Sequence, residues 1–495
     1  CSFCHTGHNY YHKLNKFSEE RVKEEIDYIG KKAEKLKINN LHLADVNFGM
    51  YPSDIQTCNF LVESNKNYGW PKNIIGTTGK NQKERVIEIT KILGSMFYIN
   101  MSMQSMDSTV LKNINRANIK LEHMIEVNDY LTDVGMMTRS ELILPLPGET
   151  KETFINGLDN ILNSKVTAVT IYTLMLLHGT EFKNPVYREK FGYKGKFRIV
   201  PLNFGEYDGK KVFDYEEVGV ETKDLPFNDY IYLRVVALLV ETLHNGRPFQ
   251  EFFLYVKKFN VEPASFIKFL YDNIDKASDK IKDIINNFVN ETKNELWNSE
   301  EDLLEYYRKE ENYEKLKQGK VGGNLIYKYK ALSLIEASSD WIDYIEDSLF
   351  DLALDKQKFI ANTSEIKNEI SDLSKFCKLK NSGLLDPKAK TNLLEDNFNY
   401  DILRWIDNFK ISPEFSDYKA KEKTSIVFEF THDQLSTRED MYKRYGTDIN
   451  ALSKIVIRIP NLESQFRKVR YKNDNYLRDI YKKSGDTFVK YAISN

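Results

Sequence analysis

Between Arg21 and Leu177 the spacing of apolar residues switches repeatedly between a period of about 3.6 and one of about 2, and this alternation limits the fold more than any other feature. RVKEEIDYIGKKAEKLKI (21–38) reads as an amphipathic helix and LHLAD (41–45) as a short buried strand. A helix opened by Ser53 after Pro52 follows, then the strand NIIGTTG (73–79), the helix KERVIEITKIL and the strand FYINMSMQS (97–105). Helices at 108–115 and 121–134 lead to the strand MTRSELILPL (137–146), the helix KETFINGLDNIL and the strand AVTIYTLMLL (168–177). Strands separated by helices demand parallel crossovers, hence a barrel or a doubly wound sheet. In either, chemistry gathers at the carboxyl ends of the strands. Those ends carry Asp45, Thr77 to Gly79, Gln104 and Ser105, Pro145 to Thr150, and His178 to Thr180.

Beyond Tyr187 the alternation stops. FRIVPL and KKVFDYEEVGVET suggest a β segment around 197–222, and DYIYLRVVALLVETLH (229–244) begins a mainly helical region. Near the end, TSIVFEFTHDQL and SKIVIRIP read as strands flanking a helix around 435–444. These changes predict three parts: 1–189, 190–300 as a capping segment, and 301–495 as a mainly helical region with late strands.

A chain of 495 residues, 41% apolar and 13% aromatic, can bury two or three cores. A net charge of −2 supplies no field to attract nucleic acid or an anionic membrane. No run of about 18 apolar residues could span a bilayer, and the polar start is unlike a secretory signal. Four cysteines cannot staple a protein this size, which points to a reducing cytoplasm. Cys58 shares an apolar face with Ile55 and Leu61 and reads as packing, and Cys377 as structural. The opening CSFCHTGH leaves three readings. Cys1, Cys4 and His5 match a haem attachment sequence; with His8 and His12 the cysteines could hold zinc; or they end an iron-sulfur loop.

Several segments together resemble the radical S-adenosylmethionine (radical SAM) superfamily. CSFC matches the last two cysteines of its C-x-x-x-C-x-Φ-C loop, with Phe3 at the aromatic position and the first cysteine falling before Cys1. MQSMDSTVLKNINR (103–116), LILPLPGET (142–150) and LMLLHGTEF (174–182) resemble the family's fourth, fifth and sixth strand elements, although Pro145 stands where glycine is usual. LHLADVNFGM (41–50) is most like the cobalamin-associated branch.

The resemblance implies a partial (β/α)6 TIM-type barrel whose first strand is missing from this chain, followed by a mainly helical α+β region. It implies a [4Fe-4S] cluster with Cys1 and Cys4 among its ligands, S-adenosylmethionine, and cobalamin bound by a domain outside the chain. Reductive cleavage to a 5'-deoxyadenosyl radical, used to modify, as by methylation, a substrate of small-molecule or biosynthetic-intermediate class, is the implied reaction. An electron donor such as flavodoxin or ferredoxin is implied with it. Phe3 is expected near the adenine, Gln104, Ser105 and Glu141 near the ribose or methionyl group, and Arg116 on the methionine carboxylate through its bidentate fork. Gly148 is expected to let backbone approach the ligand, and Thr150 to cap a helix. With two loop thiolates, the chain itself is expected to be inactive. The rival functions are a non-catalytic interaction protein with a degenerate barrel and a zinc-stabilised binding module.

Overall fold

The five expected strands form one parallel sheet in the computed structural model: β1 (Asn40–His42), β2 (Asn73–Thr77), β3 (Phe97–Asn100), β4 (Thr138–Leu144) and β5 (Ala168–Thr173), hydrogen-bonded in that order. The residues described are 2–5, 15–78, 82–118, 120–122, 124–126, 128, 138–164, 166–356, 363–389, 393–459 and 462–481. Cys1, His8, His12 and part of the helix expected at 121–134 therefore lie outside them. The chain divides into two units, Cys1–Leu233 with Leu296–Tyr306, and Arg234–Glu295 with Tyr307–Asn495.

In the first unit α1 (Glu19–Leu36) precedes β1, and the helices between strands are α2 (Ser53–Tyr68), α3 (Lys83–Leu93), α4 (Ser108–Asn113) and α5 (Lys151–Asn163). Their starts follow local chemistry. Ser18 accepts from Arg21 N ahead of α1, Asp107 from Thr109 N and Val110 N ahead of α4, and Thr150 forms a capping box with Thr153. On β4 and β5 the alternate residues Ser140, Leu142, Leu144, Val169 and Ile171 are buried. The opposite face carries Arg139, Glu141, Ile143, Thr170 and Tyr172 and is more open. Glu141 pairs in register with Thr170, and Asn100 with Arg139.

The strand expected at 97–105 pairs continuously only to Asn100. Gln104 has a φ of +66°, outside the strand region, and returns to the sheet through one bridge to Leu142. After α6 (Pro185–Phe191) comes a long hairpin of β6 (Lys194–Tyr207) and β7 (Lys210–Glu221). Its two-residue turn, Asp208-Gly209, has both φ values positive, as a turn matching the twist of paired strands requires.

The second unit is mainly helical. The elements used below are α7 (Gln250–Tyr255), α8 (Leu325–Ile335), α9 (Ser338–Lys356), α10 (Thr363–Asn381), α11 (His432–Tyr445) and α12 (Ile449–Arg458). They accompany the antiparallel strands β8 (Leu394–Tyr400), β9 (Lys419–Glu429) and β10 (Lys468–Tyr471). SKIVIRIP, expected as a strand, is instead the body of α12. Asp448 accepts from Asn450 N and Ala451 N, and the buried Ala451, Leu452, Ile455 and Val456 recur at helical spacing. The β-branched run alone was misleading because its amphipathic partner residues lie upstream of it. β8 was not expected, since LEDNFNY buries only Phe398 and Tyr400. Among the described residues no helix is long and apolar enough to cross a membrane.

Within this unit Lys380 and Glu251 are an ion pair with no exposure on either side chain. Lys380 Nζ lies 3.0 and 2.8 Å from the two carboxylate oxygens, and it also donates to Tyr481 Oη at 2.8 Å. Cys377 Sγ donates to Glu251 at 2.9 Å, and burial pushes that thiol well above its ordinary pKa, as a structural cysteine requires. Replacing Glu251→Ala strands a buried ammonium and is expected to cost about 3–5 kcal/mol, read from denaturant unfolding. The exposed pair Lys443–Glu439 is the control, and Glu439→Ala is expected to change stability by less than about 0.5 kcal/mol.

Candidate functional site

The short segment 2–5 is held at the carboxyl-end side of the sheet. Ser2 N donates to Ile114 O at 3.0 Å, Asn115 Nδ2 to Ser2 Oγ at 3.1 Å, and Glu181 N to Ser2 O at 3.2 Å. Phe3 meets the Phe182 ring edge-on at 6.2 Å and packs on a buried cluster that includes Val110, Ile114 and Leu146. His5 Nε2 bonds His178 O, beyond β5. These ties join the end of α4 to the chain after β5, with Cys4 half-buried between its anchored neighbours and in no disulfide.

Arg116, just beyond α4, is the charged centre of this region. Its Nε donates to Asn118 Oδ1 at 2.9 Å and its Nη2 to Ser102 O. Burial lowers its pKa to about 10, while the charges of Glu141 and Cys4 oppose that shift. Arg116, Glu141 and Cys4 thus form one electrostatic group. Glu141 is itself fastened, accepting from Asn100 Nδ2 and from Ser102 Oγ, each at 2.5 Å.

The carbonyls of residues 101–105, just after β3, are all engaged. Ser140 Oγ donates to Met101 O, Arg116 to Ser102 O, Asn118 Nδ2 to both Met103 O and Ser105 O, and Ile143 N to Gln104 O. Gln104 is 8% exposed, and its side-chain Oε1 is buried without a hydrogen-bond partner. A buried unmet acceptor is costly, so this oxygen suits a donor from a bound molecule.

Ser105 belongs to a neighbouring buried group. Its hydroxyl donates to Glu149 at 2.7 Å, and Thr153 Oγ1 donates to the other carboxylate oxygen at 2.8 Å. Burial raises Glu149 to about 7, against the pull of those two hydroxyls. Gly148 has a φ of +90°, and a Cβ there would lie 2.7 Å from Asn113 Nδ2. The space beside Gly148 is therefore occupied by Asn113, which donates to Pro147 O at 2.9 Å.

Of the residues singled out from sequence, Cys4, Arg116 and Glu141 come together, with Gln104 bonded through its backbone N to Glu141 O at 2.7 Å. Phe3 lies in the same anchored segment, Ser105 and Gly148 serve the adjoining packing, and Cys1 lies outside the described residues. Asn100, Ser102, Asn118 and Glu149 were missed. The polar residues at 100, 102 and 104, and an asparagine two places after Arg116, were the available signal. Among the described residues no group of three or more His, Cys, Asp or Glu could hold a metal ion.

Residues 1–161 match the family model described as the radical SAM superfamily, so this stretch, which takes in β1 to β4, is a radical SAM domain. Such a domain works with S-adenosylmethionine and a [4Fe-4S] cluster, and the thiol, the guanidinium-carboxylate pair and the unmet amide oxygen fit that donor set. Two curated relatives are each 29% identical over 253 residues, covering 50% of this chain: the cobalamin-dependent radical SAM methyltransferase TokK of Streptomyces tokunonensis, and the 2-(S-pantetheinyl)-carbapenam-3-carboxylate methyltransferase of Streptantibioticus cattleyicolor. The match spans only 36% of each relative's length.

Among solved structures, the methyltransferase TsrM of Kitasatospora setae, with cobalamin and a [4Fe-4S] cluster bound, matches at 14% identity and a TM-score of 0.29, covering 34% of this chain and 31% of that one. Coproporphyrinogen III oxidase of Escherichia coli matches at 13% and 0.30, covering 46% and 48%. These likenesses are loose, and nothing below rests on them.

Two outcomes test the geometry. Asn118→Ala removes the donor to Ser105 O and the acceptor of Arg116 Nε, while Met103 O keeps Ser105 N, and is expected to cost about 1–3 kcal/mol in denaturant unfolding. For Glu149 the folded pKa of about 7 lies above the ordinary 4.5, so the folded state holds the extra proton between those values. Its contribution to stability is full below pH 4.5 and is lost as pH rises through about 7. Glu149→Gln is expected to flatten that part of the stability profile, measured as unfolding midpoint against pH.

Proposed function

We propose that the chain is the radical-generating portion of a cobalamin-dependent radical SAM enzyme that methylates a small-molecule or biosynthetic-intermediate substrate. The observation that carries this reading is Cys4 beside the half-buried Arg116–Glu141 group at the carboxyl-end side of a parallel sheet. The sheet order runs from β1 to β5 without reversal, which favours an arc of a partial (β/α)6 barrel over a doubly wound sheet. In this reading the arc fills residues 1–189.

Cys4 and Cys1 would be thiolate ligands of the cluster, which when bound supplies the electron that cleaves a carbon-sulfur bond of S-adenosylmethionine and releases a 5'-deoxyadenosyl radical. The chain's own residues bind and orient. Arg116 presents a fork matched to a carboxylate, and Asn118 fixes its plane. Glu141, already oriented by Asn100 and Ser102, suits an ammonium group. Gln104 offers its unmet oxygen to a hydroxyl, and Phe3 closes one side against water. Free thiols at Cys58 and Cys377 accord with a reducing cytoplasm, where a flavodoxin or ferredoxin would supply the electron.

The test compares this chain with a version extended by a cysteine and three residues engineered ahead of Cys1, which completes the C-x-x-x-C-x-Φ-C spacing. Anaerobic iron and sulfide analysis should find a stable cluster only in the extended protein, and reduction with S-adenosylmethionine should then release 5'-deoxyadenosine. Cys4→Ala should abolish both. An extended protein with a full cluster and no 5'-deoxyadenosine would point to a degenerate barrel and remove the catalytic reading.

A further inference from the structure

Asn115 stands where glycine is the cheaper residue. The end of α4 is closed by Arg116 N, which donates to Leu111 O at 2.9 Å, and by Asn115 N, which donates to Lys112 O at 3.2 Å, with Asn115 at a φ of +50°. That left-handed position after a helix favours glycine, and asparagine is the next choice. What asparagine adds is a side-chain amide, and here the amide has a partner: Nδ2 donates to Ser2 Oγ at 3.1 Å.

Ser2 is 5% exposed and draws its other bonds from the same corner. Its N–H meets Ile114 O, a carbonyl at the helix end, its own carbonyl accepts from Glu181 N, and its hydroxyl also faces the Tyr187 phenol. Consecutive residues therefore divide one task. Ile114 and Asn115 hold the segment that carries Cys4, and Arg116, its backbone locked by the bond to Leu111 O, carries the guanidinium that feels the Cys4 charge. The reach from thiol to guanidinium is set across this short span.

We propose that Asn115 is a positioning residue, which holds the Cys4 segment at a fixed reach from the Arg116 fork so that one S-adenosylmethionine can meet the cluster and the guanidinium together. The inference rests on the functional reading above and adds to it a residue that acts through Ser2. A helix end with no further role has the opposite preference, because glycine would serve the turn at least as well. With the two main-chain ties of Ser2 kept, loss of the amide loosens the segment and does not release it.

Asn115→Gly separates the two roles, since it keeps the left-handed turn and removes the amide; the melting temperature should stay close to the parent's. In full chains that also carry Cys1→Ser, Cys4 is the half-exposed thiol, Cys58 and Cys377 being buried, and its alkylation by iodoacetamide should quicken about three- to tenfold, the worth of one hydrogen bond. In the cysteine-extended protein, iron and sulfide content should be kept. The S-adenosylmethionine needed to half-saturate the change in the electron paramagnetic resonance signal of the reduced cluster should rise by a similar factor. Ser2→Ala should shift both readings at least as far, and adding Asn115→Gly to it should do nothing more. Unchanged alkylation, or an unchanged S-adenosylmethionine requirement, overturns the role while the functional reading stands. A parent protein whose cluster gives no response to S-adenosylmethionine removes the functional reading and this role with it.

Discussion

A guanidinium partly withdrawn from water must be met by charge and by acceptors of fixed geometry, and Arg116 imposes that demand on everything around it. Ser102 offers its carbonyl, Asn118 its amide oxygen, Glu141 its charge. Each of these is itself held, Glu141 by Asn100 and Ser102, Asn118 by the carbonyls of Met103 and Ser105. The result is a closed circuit of polar groups at the point where β3 leaves the sheet. Such networks are stable only when every member is satisfied, and this explains why the segment between β3 and α4 abandons strand geometry.

The second unit solves a related problem differently. Lys380 and Glu251 are fully buried, and Tyr481, Arg247 O and Cys377 fill the remaining hydrogen-bonding capacity. That cluster is closed to solvent and leaves nothing over for a ligand. The buried amide oxygen of Gln104 in the first unit is the contrast, since the protein gives it no donor. Satisfaction separates a polar core that holds structure from one that invites a partner.

Much of the first unit was legible in sequence because each local signal agreed with the fold: Ser18, Asp107 and Thr150 mark helix starts, and the strand periods are clear. The end of β3 was not, since a left-handed φ at a glutamine has no signature in apolar spacing. Within the site, Arg116 and Glu141 were picked out by their places in segments that resemble the radical SAM strand elements, whereas Asn100, Ser102 and Asn118 look like ordinary loop polarity until the fold brings them together. Glu149 was hidden because PGET reads as a turn, and its burial depends on packing from α4 and α5. In the second unit, SKIVIRIP shows how a β-branched run misleads when an N-terminal cap upstream of it decides for helix.

The left-handed kink at Gln104 reaches beyond local geometry. Since every main-chain oxygen from Met101 to Ser105 already has a donor, the backbone there cannot shift to greet an incoming molecule without breaking bonds it already has. In the proposed reading, recognition at this corner would fall to one side-chain amide on a rigid pedestal, so selectivity there would be retuned by exchanging a single side chain while the scaffold stays as it is.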